Sequence, residues 1–191
     1  MENYSVHAPF SVCFFLVLIP VFMLSCKKGV EKNRYPLSQT ELGFVPYQLG
    51  DTIGFIHSGG FEFDFQVVVL KRDWAISETG HPGEDYFSYE ELELILQSNE
   101  PELIFRMTLP AQIIMSGVSC AINNQNFGIY SITDPTMDSL MINDKLYTEI
   151  FVFTNQLPET SLITFDSIFY TRPDGIIKIG MNNEEAYYIN N

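Results

Sequence analysis

The stretch Phe61–Lys71, FEFDFQVVVLK, decides the fold class of this chain. Apolar and polar residues alternate with a period of two through its first half, which is the pattern of a half-buried β-strand. One face carries the odd-numbered residues Phe61, Phe63, Phe65, Val67 and Val69, with Lys71 at its end. The other face changes from polar to apolar along its length: Glu62, Asp64, Gln66, Val68 and Leu70. We therefore predict a strand that is covered on one side at its start and on both sides at its end.

Segments of similar character recur on both sides of this strand, separated by turn residues. In the turn 172–175, Pro173 presets φ and Gly175 accepts a positive φ. The predicted strands are Val45–Leu49, Thr52–His57, Tyr86–Gln97, Glu102–Leu109, Ala111–Ile122, Phe127–Thr133, Leu146–Thr154, Ile163–Tyr170, Ile176–Met181 and Ala186–Ile189. The chain is therefore predicted to be all-β, with one or more antiparallel sheets forming a partial barrel or a sandwich. Ser38 and Glu41 have the spacing of a capping box, which predicts one helical turn before the sheet.

The N-terminus has the pattern of an export signal. Residues 10–24 are an apolar run whose length fits a signal helix and is short for a membrane-spanning helix. The tetrapeptide Met23-Leu24-Ser25-Cys26 resembles the lipobox of bacterial lipoproteins. That resemblance implies cleavage before Cys26 and a thioether-linked diacylglycerol, with acyl chains such as palmitate, on Cys26. Secretion without a lipid is the alternative.

This interpretation divides the chain into three parts. Residues 1–25 are a lipoprotein signal peptide, 26–35 a polar, Lys-containing flexible tether, and 36–191 a single β-domain. The whole chain beyond the signal resembles uncharacterised lipoproteins of the Bacteroidetes type. The blocks that carry the resemblance are Ser25–Lys28, Val45–Tyr47, Gly50-Asp51, Ile53–Phe55, Ile142–Tyr147, Phe169-Tyr170, and Asp174–Ile177 through to Tyr188. The resemblance implies the outer membrane and no particular activity. Because no acidic residues directly follow Cys26, we expect the periplasmic face.

Composition excludes some partners and some chemistry. The formal net charge is −14, so the chain repels phosphate backbones and nucleic acid is not an expected partner. Cys13 lies in the signal and Cys26 is the lipid site, so Cys120 alone remains and no disulfide forms within the mature chain. We expect Cys120 to be a small buried apolar residue.

Candidate catalytic or metal-binding residues are sparse. The acidic stretch 73–102 contains His81, Glu84 and Asp85, which suggest a cation site or, with His57, a hydrolase. No ligand spacing repeats and no nucleophile or phosphate-loop motif occurs, so a solvated acidic loop is favoured. Adjacent Glu90 and Glu91 point to opposite faces of a strand and are not expected to act together. No catalytic residue, metal or cofactor is therefore predicted, and the protein is not expected to be an enzyme.

Three functions remain for an envelope protein held to the membrane by the lipid on Cys26. The favoured one is binding of an envelope protein or of an apolar ligand. A structural part in an envelope assembly is the alternative, and a hydrolase is less favoured. The row of Phe61, Phe63 and Phe65 discriminates among them, because an apolar ligand requires a hollow lined by these rings, whereas a packed interior excludes it.

Overall fold

The computed structural model describes residues 29–77, 85–111, 117–129, 131–155 and 163–190. Twelve strands and one short helix make up this part of the chain. The strands are β1 (Glu31–Tyr35), β2 (Thr52–His57), β3 (Glu62–Ile76), β4 (Tyr86–Asn99), β5 (Glu102–Pro110), β6 (Val118–Ile122), β7 (Gln125–Ile129), β8 (Met137–Ile142), β9 (Lys145–Asn155), β10 (Phe165–Thr171), β11 (Gly175–Met181) and β12 (Ala186–Ile189). Helix α1 (Gln39–Leu42) begins at Ser38, whose side chain forms the predicted capping box with Glu41.

The chain divides into two compact units. Among the described residues, the smaller unit contains 29–34, 76–77 and 85–88. Within it, the Tyr86 amide donates to the Val30 carbonyl at 3.1 Å, and the Lys32 ammonium lies 3.0 Å from a carboxylate oxygen of Asp85. Residues 31–35, which lie in the predicted tether 26–35, form strand β1.

The larger unit consists of the described residues within 35–75 and 89–190, and it contains a closed antiparallel barrel. Ten strands follow one another in the order β4-β3-β2-β12-β11-β10-β9-β7-β6-β5, and β5 pairs with β4 to close the ring. The closing pair is long, running from Glu91 opposite Pro110 to Asn99 opposite Glu102. The predicted all-β fold is confirmed; where a partial barrel or a sandwich was predicted, the structure has a barrel that is closed.

The inward-facing residues of the ring form one apolar core. Burial alternates along β4 and β5, so that every second residue is inside, as the sequence period requires. Inside, Phe55 lies 5.8 Å from Phe63 and 5.5 Å from Phe65 between ring centres, and Phe63 contacts Tyr187 at 4.9 Å. These contacts fill the space beside β2 and β3 with the protein's own side chains.

A segment preceding β2 crosses the barrel. We call residues 37–47 the plug. The Leu37 amide donates to Glu90 on β4 at 3.0 Å, and the buried Phe44 ring packs on Phe151 of β9 and Tyr170 of β10. Because β4 and β10 stand on opposite sides of the ten-strand ring, the plug spans it from one side to the other.

Two differences from the predicted strands have physical causes. Val45–Leu49 is not a strand, because Val45 and Tyr47 are buried in the plug, and Pro46 has no amide proton for a ladder. Strand β8 was not predicted. Its pattern is mostly exposed, and it pairs only with β9 in the described part of the chain, so it lacks the apolar alternation of the barrel strands.

Within the residues that the structure describes, no helix has the length and apolar character needed to cross a membrane.

Glycine at position 175 should be essential to the seating of the plug. Gly175 has φ +74°, and a Cβ atom there would lie 1.9 Å from the Tyr47 hydroxyl. Gly50 has φ +91° with open space around it, so it is a matched control for the backbone cost alone. We expect Gly50→Ala to lower the free energy of unfolding by about 1 kcal/mol, and Gly175→Ala to lower it by about 3 kcal/mol or more. Urea titrations measure both free energies of unfolding, and equal losses would contradict the close packing of Tyr47 against Gly175.

Candidate functional site: a polar groove on the outer face of β5 and β6

Several residues singled out in the sequence lie outside the described part of the chain. These are the lipid-attachment residue Cys26, with the signal before it, and His81 and Glu84 of the acidic stretch. Among the described residues, no group of three or more His, Cys, Asp or Glu side chains is arranged to hold a metal ion.

His57 lies at the end of β2 in an aromatic cluster. Its ring stacks on Phe61 at 4.6 Å and contacts Tyr187 at 5.1 Å between centres. The Gly59 amide donates to its Nδ1 at 2.9 Å, which places the proton of the neutral ring on Nε2, 4.0 Å from a carboxylate oxygen of Glu185. The ring packing and the turn hydrogen bond give His57 a structural role.

The predicted aromatic row divides between the core and the surface. Phe63 and Phe65 are buried and packed against Phe55, whereas Phe61 is 45% exposed and covers His57. The rings therefore do not line a hollow between them. Cys120 is buried, as predicted, and burial raises the pKa of its thiol, so this thiol is not a nucleophile at neutral pH.

Glu90 and Glu91 point to opposite faces of β4, as the period of a strand predicts. Glu90 is buried and accepts two hydrogen bonds from the Arg72 guanidinium, at 2.7 and 2.8 Å. It also accepts the Leu37 amide of the plug. Because the Glu90 carboxylate accepts these hydrogen bonds and holds the plug, it is not available for catalysis.

A groove lies on the outer face of the larger unit, where β5 and β6 run side by side. It consists of two adjoining depressions of about 320 Å³ each, which share Arg106, Ala121 and Asn124. The remaining lining residues are Glu102, Ile104, Thr108, Ser119, Cys120, Asn123 and Asn126. We call this surface the Arg106 groove.

Small side chains on β6 create the depression. Ala121 pairs with Arg106 on one side and with Asn126 on the other. Ser119 pairs with Thr108 and with Gly128 in the same way. Because residues opposite one another in a sheet point to the same face, the short side chains of β6 form a floor between longer ones.

A tight turn forms one end of the groove. Asn123 and Asn124 have φ values of +45° and +70°, which are those of a two-residue hairpin turn with both central residues left-handed. The Asn123 side chain accepts the Ile104 amide at 2.9 Å and donates to the Glu102 carbonyl at 3.2 Å. The turn is thereby fixed to β5, and Asn124 is held at the rim of the groove.

Arg106 is the cation of the groove. Its side chain is 59% exposed, and its Nε lies 3.8 Å from one oxygen of Glu93, which is beyond hydrogen-bond distance. The other oxygen of Glu93 pairs with the Lys71 ammonium at 3.1 Å. In the described part of the chain, no shorter ion pair holds the guanidinium, so its donors can reach a ligand.

The sequence did not single out this site. Arg106 and Thr108 belong to the predicted strand Glu102–Leu109, and 123–126 lie between two predicted strands, but none of them was predicted to form a site. The available signal was the pairing of outward-facing polar residues on β5 with an Asn-rich turn. These residues form a groove only in the register that β5 adopts against β6, and no local sequence pattern predicts that register.

The ion pair between the buried Glu90 and the half-exposed Arg72 should make the stability of the fold depend on pH. Hydrogen bonds from Arg72, together with the Leu37 amide, lower the pKa of Glu90 below its ordinary value of about 4.5, while burial opposes the shift. Since the folded-state pKa is the lower one, this stabilisation is present above pH 4.5 and is lost as the pH falls through the folded-state value.

We therefore expect Glu90→Gln to lower the unfolding free energy at pH 7 and to flatten its decline below pH 4.5. Glu91→Gln, the same change on the opposite face of the strand, serves as the control and should leave the curve close to wild type. Denaturant titrations from pH 7 to pH 3 measure this. Parallel curves for wild type and Glu90→Gln would contradict the assignment.

Comparison of the chain with protein-family models, with curated proteins and with solved structures finds no match.

Proposed function

We propose that the protein is a non-enzymatic, lipid-anchored protein of the cell envelope that binds another envelope protein through the Arg106 groove. The observation that carries this proposal is the groove itself, a concave polar surface with an exposed guanidinium on a domain whose net charge is strongly negative. Ligand-binding sites are typically concave surfaces of a few hundred Å³ in which a few positioned polar groups orient the ligand.

The packed interior favours binding at the surface over transport of an apolar ligand. The rings of Phe55, Phe63 and Phe65 contact one another inside the barrel, and the plug brings Phe44 against Phe151 and Tyr170. An apolar ligand would have to displace these contacts.

The anchor is the second part of the proposal. We propose that Cys26 carries the lipid and that the domain faces the periplasm from the outer membrane. Two or more acyl chains hold a protein stably to a bilayer, whereas one chain alone does so only marginally.

A structural role in an envelope assembly is the second candidate, and one observation favours it. Met141 on β8 pairs with Leu146 on β9, and both side chains are exposed, at 60% and 57%. Strand β8 has no second neighbour among the described strands. An apolar pair beside an open strand edge is a surface on which another chain can pair.

Mass spectrometry of the protein from a membrane fraction tests the anchor. We expect the mature chain to begin at Cys26 and to carry the mass of a diacylglyceryl group on that residue. Cys26→Ser should leave the signal uncleaved or release an unlipidated chain. Wild-type protein that starts at another residue, or that lacks the lipid, would refute the anchor without affecting the groove.

Photo-crosslinking in intact cells tests the groove. A photoreactive residue at Asn124 is expected to give a discrete adduct with an envelope protein, because Asn124 lies at the rim. The same residue at Gln66, which is exposed on the outer face of β3, is the control and should give none.

Arg106→Ala should abolish the Asn124 adduct while leaving the abundance of the protein unchanged. Equal adducts from both positions, or an Asn124 adduct that persists in Arg106→Ala, would contradict binding in the groove. An adduct obtained only with the photoreactive residue at Met141 would favour the assembly role instead.

A further inference from the structure

The charges of the Arg106 groove indicate which part of a partner it accepts, an inference that rests on the proposed function. Arg106 and Glu102 lie on the same outward face of β5, four residues apart. A strand rises about 3.4 Å per residue, so their Cα atoms are about 14 Å apart. The groove therefore presents a positive and a negative group separated by the length of about four residues of extended chain.

The positive end is suited to a carboxylate. Arginine presents several N–H donors in a planar fork that matches the two oxygens of a carboxylate. Here the fork is exposed, and its contact with Glu93 is too long to be a hydrogen bond. A phosphate carries more negative charge and would meet repulsion from Glu93 and Glu102, which lie on the same outer face. The singly charged carboxylate is therefore the better match.

The polar groups along the groove are suited to a peptide backbone. The amides of Asn124 and Asn126 and, beyond Arg106, the hydroxyls of Thr108 and Ser119 both donate and accept hydrogen bonds. A peptide backbone needs both kinds of partner. Ile104, which is 41% exposed between Glu102 and Arg106, offers an apolar contact for a side chain of the ligand.

From this arrangement we propose that the Arg106 groove binds an extended peptide segment of the partner whose carboxylate pairs with Arg106 and whose amino or other basic group faces Glu102. The carboxylate comes from a free C-terminus or from an acidic side chain. Either source gives the same pairing with the guanidinium, and the test separates them.

The test is an NMR titration of the mature protein, purified from membranes in detergent micelles, following the backbone amides of Ala121 and Asn126. Three probes are compared: tetra-alanine with free termini, its C-terminal amide, and an N-acetylated, C-terminally amidated tetrapeptide with one internal glutamate. We expect at least one carboxylate-bearing probe to shift these amides in a saturable way. The C-terminal amide of tetra-alanine should bind about tenfold more weakly than the carboxylate-bearing probe that binds most tightly, because its charge-assisted pair with Arg106 is lost.

Substitutions assign the pairing to one side chain. Arg106→Ala should weaken binding of the carboxylate probe about tenfold or more, and Arg106→Lys should restore part of it, because lysine keeps the charge but not the fork. Lys178→Ala, which removes a cation from the outer face of β11, should leave the affinity unchanged. Arg106 is exposed, so its variants should unfold at the wild-type temperature.

If free tetra-alanine binds more tightly than the glutamate probe, the carboxylate of the partner comes from a C-terminus. If the glutamate probe binds more tightly, it comes from an internal acidic residue. Three results would overturn the inference. Neither carboxylate probe binds in a saturable way, or the amide of tetra-alanine binds as tightly as the better carboxylate probe. The third is that Arg106→Ala binds that probe as tightly as the wild type. If the Asn124 crosslink in cells persists in that case, the groove binds a partner of another chemistry and the proposed function stands. If peptides bind but no crosslink forms, the proposed function fails and the chemistry of the groove stands.

Discussion

The structure of the larger unit depends on how the plug is fixed inside the ring. The Tyr170 hydroxyl donates to the Phe44 carbonyl at 2.6 Å, and the Ile176 amide donates to the Tyr47 hydroxyl at 2.6 Å. Both hydrogen bonds are buried, and burial raises the pKa of both phenols, so they stay neutral and bonded at physiological pH. Together they join a non-strand segment to β10 and β11, and satisfy backbone groups that would otherwise be buried without partners.

Because the plug and the core side chains fill the interior of the ring, a binding site has to lie on its outer face. There, the long closing pair of β4 and β5 places Glu93, Thr108 and Arg106 in register with the small residues of β6. The same register that closes the barrel therefore forms the groove. Fold and site share one cause, because a shift of β5 by one residue would turn Arg106 into the core and Phe105 to the surface.

Much of the fold could be predicted from local patterns. The alternation in Phe61–Lys71 predicted β3, whose first half is buried on one face, and the capping box at Ser38 predicted the short helix. The expectation that the end of this strand is covered on both sides was wrong, because Val68 is 39% exposed and Leu70 is only partly buried. What depends on distant contacts could not be predicted. Val45 and Tyr47 alternate like strand residues, but Tyr47 is held inside the barrel by Ile176, which lies more than a hundred residues later. Arg106 became a candidate only through its neighbours on β6.

The central claim is that the protein binds its partner on the outer face of a barrel whose interior is filled. Hydroxyl-radical footprinting tests it most directly, by comparing purified protein with protein in isolated envelopes. We expect Ile104 to be labelled in the purified protein and protected in envelopes, while Met141 is labelled in both and Phe63 and Phe65 in neither. Equal labelling of Ile104 in both samples, together with labelling of Phe63 or Phe65 after purification, would contradict the account and indicate an interior that had lost a ligand.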